Sequence, residues 1–179
     1  DKTGTLTIPN PNIDFTKADN IPFEEREQLK PNAAKAMARL KEEGIDVFMM
    51  SGDKEAAAHY WAEKAGIVHY KSEVRPDDKQ KLVSQLQQEG KIVAMVGDGI
   101  NDTQALATAD VGIAIGRGTD VAMDVAQVTL MGNDLMALPE AVNMSRRTVR
   151  MIWQNLFWAF IYNLVCIPLA AGALYLFDI

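Results

Sequence analysis

From residue 31 to residue 131, apolar and polar positions alternate in blocks that switch between helical and strand periodicity. Pro31 suits a first helical turn, Ala33 to Glu43 supplies good helix formers, and Gly44 ends the run. Ile45 to Met50 reads as a strand, residues 54–65 as a helix stopped by Gly66, and Pro76 opens a third helix ending near Gly90. Lys91 to Val96 is an apolar strand. Val111 to Ile115 and Gln127 to Met131 are two more short ones, with a helical segment near 119–126 between them. Strands alternating with helices predict an α/β fold with a Rossmann-like parallel sheet. Residues 8–29 break the pattern: their Pro, Asn and Asp and a Glu-Glu-Arg-Glu run predict a loop with one helical turn.

The pattern changes again near the C-terminal end. Residues 157–177 contain no Asp, Glu, Lys, Arg or His, and Asn163 is the one strongly polar side chain. That run is long enough to cross a hydrocarbon core of about 30 Å. Arg146, Arg147 and Arg150 precede it, which orients its N-terminal end toward the cytoplasm. Trp153 and Trp158 at one end and Tyr175 at the other suit interfacial anchoring. Residues 1–138 are therefore expected to form the sheet domain and 139–179 a linker helix continuing into a transmembrane helix. Residues 1–150 would be cytoplasmic.

Composition narrows the classes. With 179 residues, 48% of them hydrophobic, the chain can bury one sizeable core and carry one extra element. A net charge of −6 argues against a nucleic-acid binder, whose surface should be basic. A single cysteine excludes an internal disulfide framework, and no Cys/His cluster suggests zinc. His59 and His69 read as surface or boundary residues, and Met49, Met50, Met95 and Met131 as core packing.

Two polar stretches carry the chemistry, Asp1-Lys2-Thr3-Gly4-Thr5-Leu6-Thr7 and Gly97-Asp98-Gly99-Ile100-Asn101-Asp102. A carboxylate attacks a phosphate poorly unless a divalent cation and fixed positive charge neutralise the phosphoryl oxygens. Asp1 is the expected nucleophile, with Asp98 and a backbone carbonyl near Thr3 holding Mg²⁺. Gly4 and Gly99 would let the backbone approach the phosphate.

Taken in order with Ser51-Gly52-Asp53 and Pro76-Asp77-Asp78-Lys79, this set resembles the P-type ATPases, ion pumps of the haloacid-dehalogenase superfamily. The resemblance covers residues 1–7 and 30–177. It implies a haloacid-dehalogenase-type sheet domain and a catalytic set of Asp1, Lys2, Thr3, Ser51, Gly52, Asp53, Lys79 and Asn101. By that resemblance Ser51 donates a hydrogen bond to the phosphoryl group, Lys79 offsets its charge, and Asn101 and Asp102 complete the surroundings. The Mg²⁺ set would be Asp1, Thr3, Asp98 and Asp102, with ATP as the substrate. Phosphatases of the superfamily usually place a second Asp two residues after the nucleophile. Here Thr3 stands there, which slows water attack on an acyl-phosphate and favours a pump.

The arrangement Asn155, Tyr162-Asn163, Pro168 is similar to the penultimate transmembrane helix of copper-transporting P-type ATPases. It implies Cu⁺ as the transported ion, with Asn155, Tyr162 and Asn163 at its site. Apart from the resemblance, Cys166 lies on nearly the same stripe and is a further candidate soft ligand, with a space-filling thiol as the alternative. A zinc/cadmium-type or silver pump is the alternative metal assignment. A membrane-tethered phosphatase and a non-catalytic remnant are the alternative classes. In such pumps a nucleotide-binding domain is inserted after the nucleophile motif, where this chain has only the connector 8–29. The central strand that should deliver Asp1 is also missing. The expectation is thus a fragment of a multi-pass cell-membrane pump, inactive alone. Its partners would be the pump's nucleotide-binding, actuator and other transmembrane segments.

Overall fold

The computed structural model describes residues 1–11, 21–99, 101–116 and 120–172. Its elements run β1 (Thr7–Pro9), α1 (Phe23–Arg26), β2 (Glu27–Leu29), α2 (Ala33–Glu42), β3 (Phe48–Met50), α3 (Glu55–Ala65), β4 (His69–Lys71) and α4 (Pro76–Gln88). Then follow β5 (Ala94–Gly97), α5 (Thr103–Thr108), β6 (Val111–Ile115), α6 (Asp120–Val125), β7 (Val128–Leu130) and α7 (Ala137–Ala170). The chain divides into two units, Asp1–Pro139 and Glu140–Ile179.

In the first unit, β3 pairs in parallel with β4, and β5, β6 and β7 form a second parallel set in that order. Residues 1 and 2 join the two sets. The Asp1 nitrogen donates to Val96 O at 2.9 Å, and the Lys2 amide donates to Met50 O at 3.1 Å. Consecutive amides of an extended chain point to opposite sides, so a two-residue stub reaches both neighbours. The segment carrying the expected nucleophile thus occupies the slot between β3 and β5.

Helix α2 buries Ala33, Ala36, Met37 and Leu40, one face at helical spacing. Helix α3 buries Ala57, Ala58, Trp61, Ala62 and Ala65, and Gly66 closes it in the left-handed region (φ 71°). Met50, Val83, Met95, Ala105, Leu106 and Ala109 make one core cluster, flanked by Leu82, Val93 and Val125. Met49, Met50 and Met95 are buried as expected, whereas Met131 is 82% exposed just beyond the edge strand β7.

Three features depart from the sequence reading. The connector is flanked by an antiparallel pair, β1 with β2, in register Thr7↔Leu29 and Ile8↔Gln28; α1 supplies the single helical turn. The short strand β4 was not foreseen; its His69 is exposed, as a surface or boundary residue should be, and stacks on Phe48 with ring centroids 4.9 Å apart. Helix α5 follows Asp102 directly. Each is too short for periodicity to reveal. Residues 12–20 of the connector, and residues 173–177 of the apolar run with Tyr175, lie outside the described residues.

The second unit is the greater part of α7, continuous through Pro168. It is long and apolar enough to cross a membrane, and none of its apolar window is buried. Trp153, Phe157, Trp158, Phe160 and Tyr162 are all exposed.

Candidate active site at the head of the sheet

Pro76 sets the start of α4, which places Lys79 in its first turn. Lys79 and Val83, four residues apart, share the buried face of the helix, so the cluster that holds Val83 also turns Lys79 inward. The Lys79 ammonium meets Asp1 Oδ1 and Asp102 Oδ1, each at 2.6 Å. The side chains of Lys79, Asp1 and Asp102 are 6%, 8% and 0% exposed.

Asp98 enters from the end of β5. Carboxylate oxygens of Asp1, Asp98 and Asp102 lie within 4.8 Å of one another. Two glycines make room for them. A Cβ on Gly4 would stand 2.1 Å from Asp98 Oδ2, and Gly4 also has φ 75°. A Cβ on Gly97 would stand 2.7 Å from Asp102 Oδ2. That Asp102 oxygen is buried and has no hydrogen-bond partner among the described residues. A buried carboxylate oxygen left unfilled costs free energy, unlike one paired to a donor or a cation. Three hard oxygen donors and one unfilled lone-pair site fit a divalent cation such as Mg²⁺. Among the described residues, the Thr5 hydroxyl on the turn after the nucleophile is likewise buried and unpartnered.

The remaining expected residues are distributed around this corner. Ser51, Gly52 and Asp53 follow β3, and Ser51 is 1% exposed. The Ser51 hydroxyl donates to Asp53 Oδ2 at 3.0 Å and accepts the Asp53 amide at 3.1 Å. Lys2, grouped with the catalytic residues in the sequence reading, makes its ion pairs elsewhere. Its ammonium contacts Glu27 Oε2 and Asp53 Oδ2, each at 2.5 Å, rather than the Asp1 carboxylate. The Thr3 side chain and Asn101 are exposed.

Sequence reasoning missed Lys30 and Glu27, both brought in by the return strand β2. Lys30 is 3% exposed, and burial draws its ammonium below the usual lysine range while Asp98 pulls the other way. One signal lay in the sequence: Lys30 directly precedes Pro31, at the entrance to the first regular helix.

Asn155, Tyr162, Asn163 and Cys166 all lie on α7. At about 100° per residue, Asn155, Tyr162 and Cys166 fall within an arc of about 40°, with Asn163 beside it. Asn155, Tyr162 and Asn163 are exposed and Cys166 is half-buried.

The profile of haloacid dehalogenase-like hydrolases matches residues 13–110. The chain belongs to that family. It is also 52% identical over 147 residues to a probable copper-transporting ATPase, PacS, of Synechocystis sp., which covers 82% of this chain and 20% of the relative. It is 52% identical over 143 residues to the copper-exporting P-type ATPase of Bacillus subtilis, covering 80% and 18%. The chain thus spans about a fifth of the length of these curated relatives. Among solved structures, a zinc-transporting PIB-type ATPase in its E2.Pi state superimposes with a TM-score of 0.75 at 35% identity. That match covers 82% of this chain and 24% of the other. The haloacid dehalogenase-like sheet domain and its resemblance to P-type ATPases therefore both hold.

Proposed function

We propose that this chain is the phosphorylation domain and one transmembrane helix of an ATP-driven Cu⁺ pump of the cell membrane, and that Asp1 accepts the γ-phosphoryl group of ATP. One observation carries the reading: the Asp1 carboxylate faces a buried lysine and two further carboxylates at the end of a parallel sheet. Mg²⁺ held by Asp1, Asp98 and Asp102 would neutralise phosphoryl oxygens during transfer. Lys79 holds the nucleophile now and supplies fixed positive charge for the arriving group. The Ser51 hydroxyl, held close by the Asp53 amide, can turn its proton toward a phosphoryl oxygen. Thr3 offers no carboxylate to activate water, so the acyl-phosphate persists long enough for a conformational step.

The metal assignment rests on identity and on the helix. The copper-transporting relatives are 52% identical and the zinc-transporting structure 35%. Asn155, Tyr162, Asn163 and Cys166 supply a polar stripe on the apolar C-terminal half of the helix, where polar groups tend to mark function. ATP recognition and the remaining ion ligands would come from other segments of the same pump. In the complete pump, γ-labelled ATP with Mg²⁺ is expected to give an acid-stable, hydroxylamine-sensitive adduct that is stimulated by Cu⁺. Labelling that survives in Asp1→Asn, or ignores copper, overturns the corresponding half of the proposal.

A further inference from the structure

Lys2 follows the nucleophile, yet its ammonium is turned to the far side of the stub. There it joins Glu27 on β2 to Asp53 on the loop after β3. The contacts continue in both directions. Thr7 Oγ1 donates to Glu27 Oε2 at 2.8 Å, and the Ser51 hydroxyl donates to Asp53 Oδ2 at 3.0 Å. Lys2 and Thr7 are buried, and the Glu27 side chain is 17% exposed. A chain of ion pairs and a hydrogen bond thus runs from Glu27, where the connector returns to the sheet, through Lys2 and Asp53 to the Ser51 hydroxyl.

The Ser51 hydroxyl has one proton. While Asp53 accepts it, that proton is unavailable to a phosphoryl oxygen. When it turns away, Asp53 Oδ2 loses a donor and depends on Lys2 for compensation. The Asp53 amide meanwhile keeps the Ser51 oxygen in place. Lys2 in turn holds a position between two carboxylates only while Glu27 opposes Asp53. With Glu27 neutral, the ammonium is drawn wholly onto Asp53, and the geometry that presents Ser51 shifts.

We infer that Glu27, which lies outside the four motifs quoted from the sequence, is a positioning residue for phosphoryl capture. It acts through the Lys2–Asp53 pair on the hydrogen bond of Ser51. This rests on the proposed pump function and adds to it a link between the connector's return strand and the reaction centre.

The test is a double-mutant cycle in the complete pump, reading the rate of phosphoenzyme formation at saturating ATP and Mg²⁺. Glu27→Gln is expected to slow formation about tenfold, the effect of about 1.4 kcal/mol. In a Ser51→Ala background the same change should cost less than about twofold, because its route of action is gone. Glu27→Asp keeps the charge and should stay within about threefold of wild type. Should Glu27→Gln fail to fold, Thr7→Val removes one bond to Glu27 while leaving the charges, and should show a smaller slowing that Ser51→Ala again abolishes. Additive effects of Glu27 and Ser51, or a Glu27→Asp as slow as Glu27→Gln, overturn the inference. An additive pair of Thr7 and Ser51 does the same in the fallback cycle. A wild type that forms no Asp1-dependent adduct instead defeats the pump reading itself, so the two failures are told apart.

Discussion

Among the buried lysines of the first unit, Lys2 and Lys79 look alike and end differently. Lys79 bridges Asp1 and Asp102, and Lys2 bridges Glu27 and Asp53, with every contact at 2.5–2.6 Å. In the Lys2 group the carboxylates have further donors, Thr7 for Glu27 and Ser51 for Asp53. In the Lys79 group, Asp102 Oδ2 is buried without one among the described residues, and Asp98 adds a third carboxylate. A filled network holds structure together, and one with spare acceptor capacity is built to receive a cation or donor. That difference, more than lysine burial, makes the Lys79 group the one suited to the proposed reaction centre.

Replacing each lysine in turn should break that comparison with the largest effect. Removing one partner of a buried ion pair costs about 3–5 kcal/mol, so Lys79→Met and Lys2→Met should each lower unfolding free energy by about that amount in denaturant titrations. Mg²⁺ should restore part of the loss in Lys79→Met, where it can compensate the stranded carboxylates, and little in Lys2→Met. Equal rescue of both variants would erase the distinction. In the complete pump, Lys79→Met should also slow phosphoenzyme formation by at least about a hundredfold.

A smaller effect is expected at the backbone approach to the same centre. Gly4→Ala places a methyl on the Asp98 carboxylate and forces a left-handed backbone on an L residue. The strain alone costs about 1–2 kcal/mol, before Asp98 moves. Thermal unfolding should show that loss, and the variant should also lose its Mg²⁺ response. Gly44→Ala is the control, since its φ of 75° carries the strain with nothing within 4 Å to displace.

Smaller again is the gain from the metal in the unaltered chain. Mg²⁺ at ten times its dissociation constant should stabilise the fold by about 1.4 kcal/mol. Asp98→Asn should weaken that gain, while Asp110→Asn, at an exposed carboxylate outside the centre, should leave it unchanged. A gain that survives Asp98→Asn intact argues for binding elsewhere.

The smallest effect concerns Asp134. The Met136 amide and then the Asn32 side chain hold its carboxyl below its ordinary value of 3.8. A carboxylate depressed in the folded state contributes stability that is present above the unfolded value and lost as pH falls through the folded one. Asn32→Gly keeps the left-handed backbone (φ 60°) and removes the Asn32 bonds of 3.2 Å. It should lower stability slightly above pH 3.8, neutrality included, and leave it unchanged in stronger acid, so that the acid limb is flatter.

Most regular elements were legible because each is long enough to show its period. The helices beginning at Ala33, Glu55 and Pro76 and the strand Val111–Ile115 fall where alternation and Gly/Pro punctuation put them. The pair of β1 and β2 was not, since three residues display no period and their pairing spans a connector. At the site, Asp1, Lys79, Asp98 and Asp102 were legible as residue types that phosphoryl chemistry needs, and the fold gathers them. Lys2 was legible as a member of the same motif, but its pairing with Glu27 and Asp53 was not.

The sequence by itself determined the donor set, the α/β alternation and an apolar run long enough for a bilayer, since these depend on side-chain chemistry and local spacing. Only the tertiary structure decided which carboxylate each lysine would meet, because ion pairing depends on separation through space. Glu27 reaches Lys2 across the connector and Lys30 is buried near Asp98, and neither could be foreseen until β2 folded back beside the nucleophile turn.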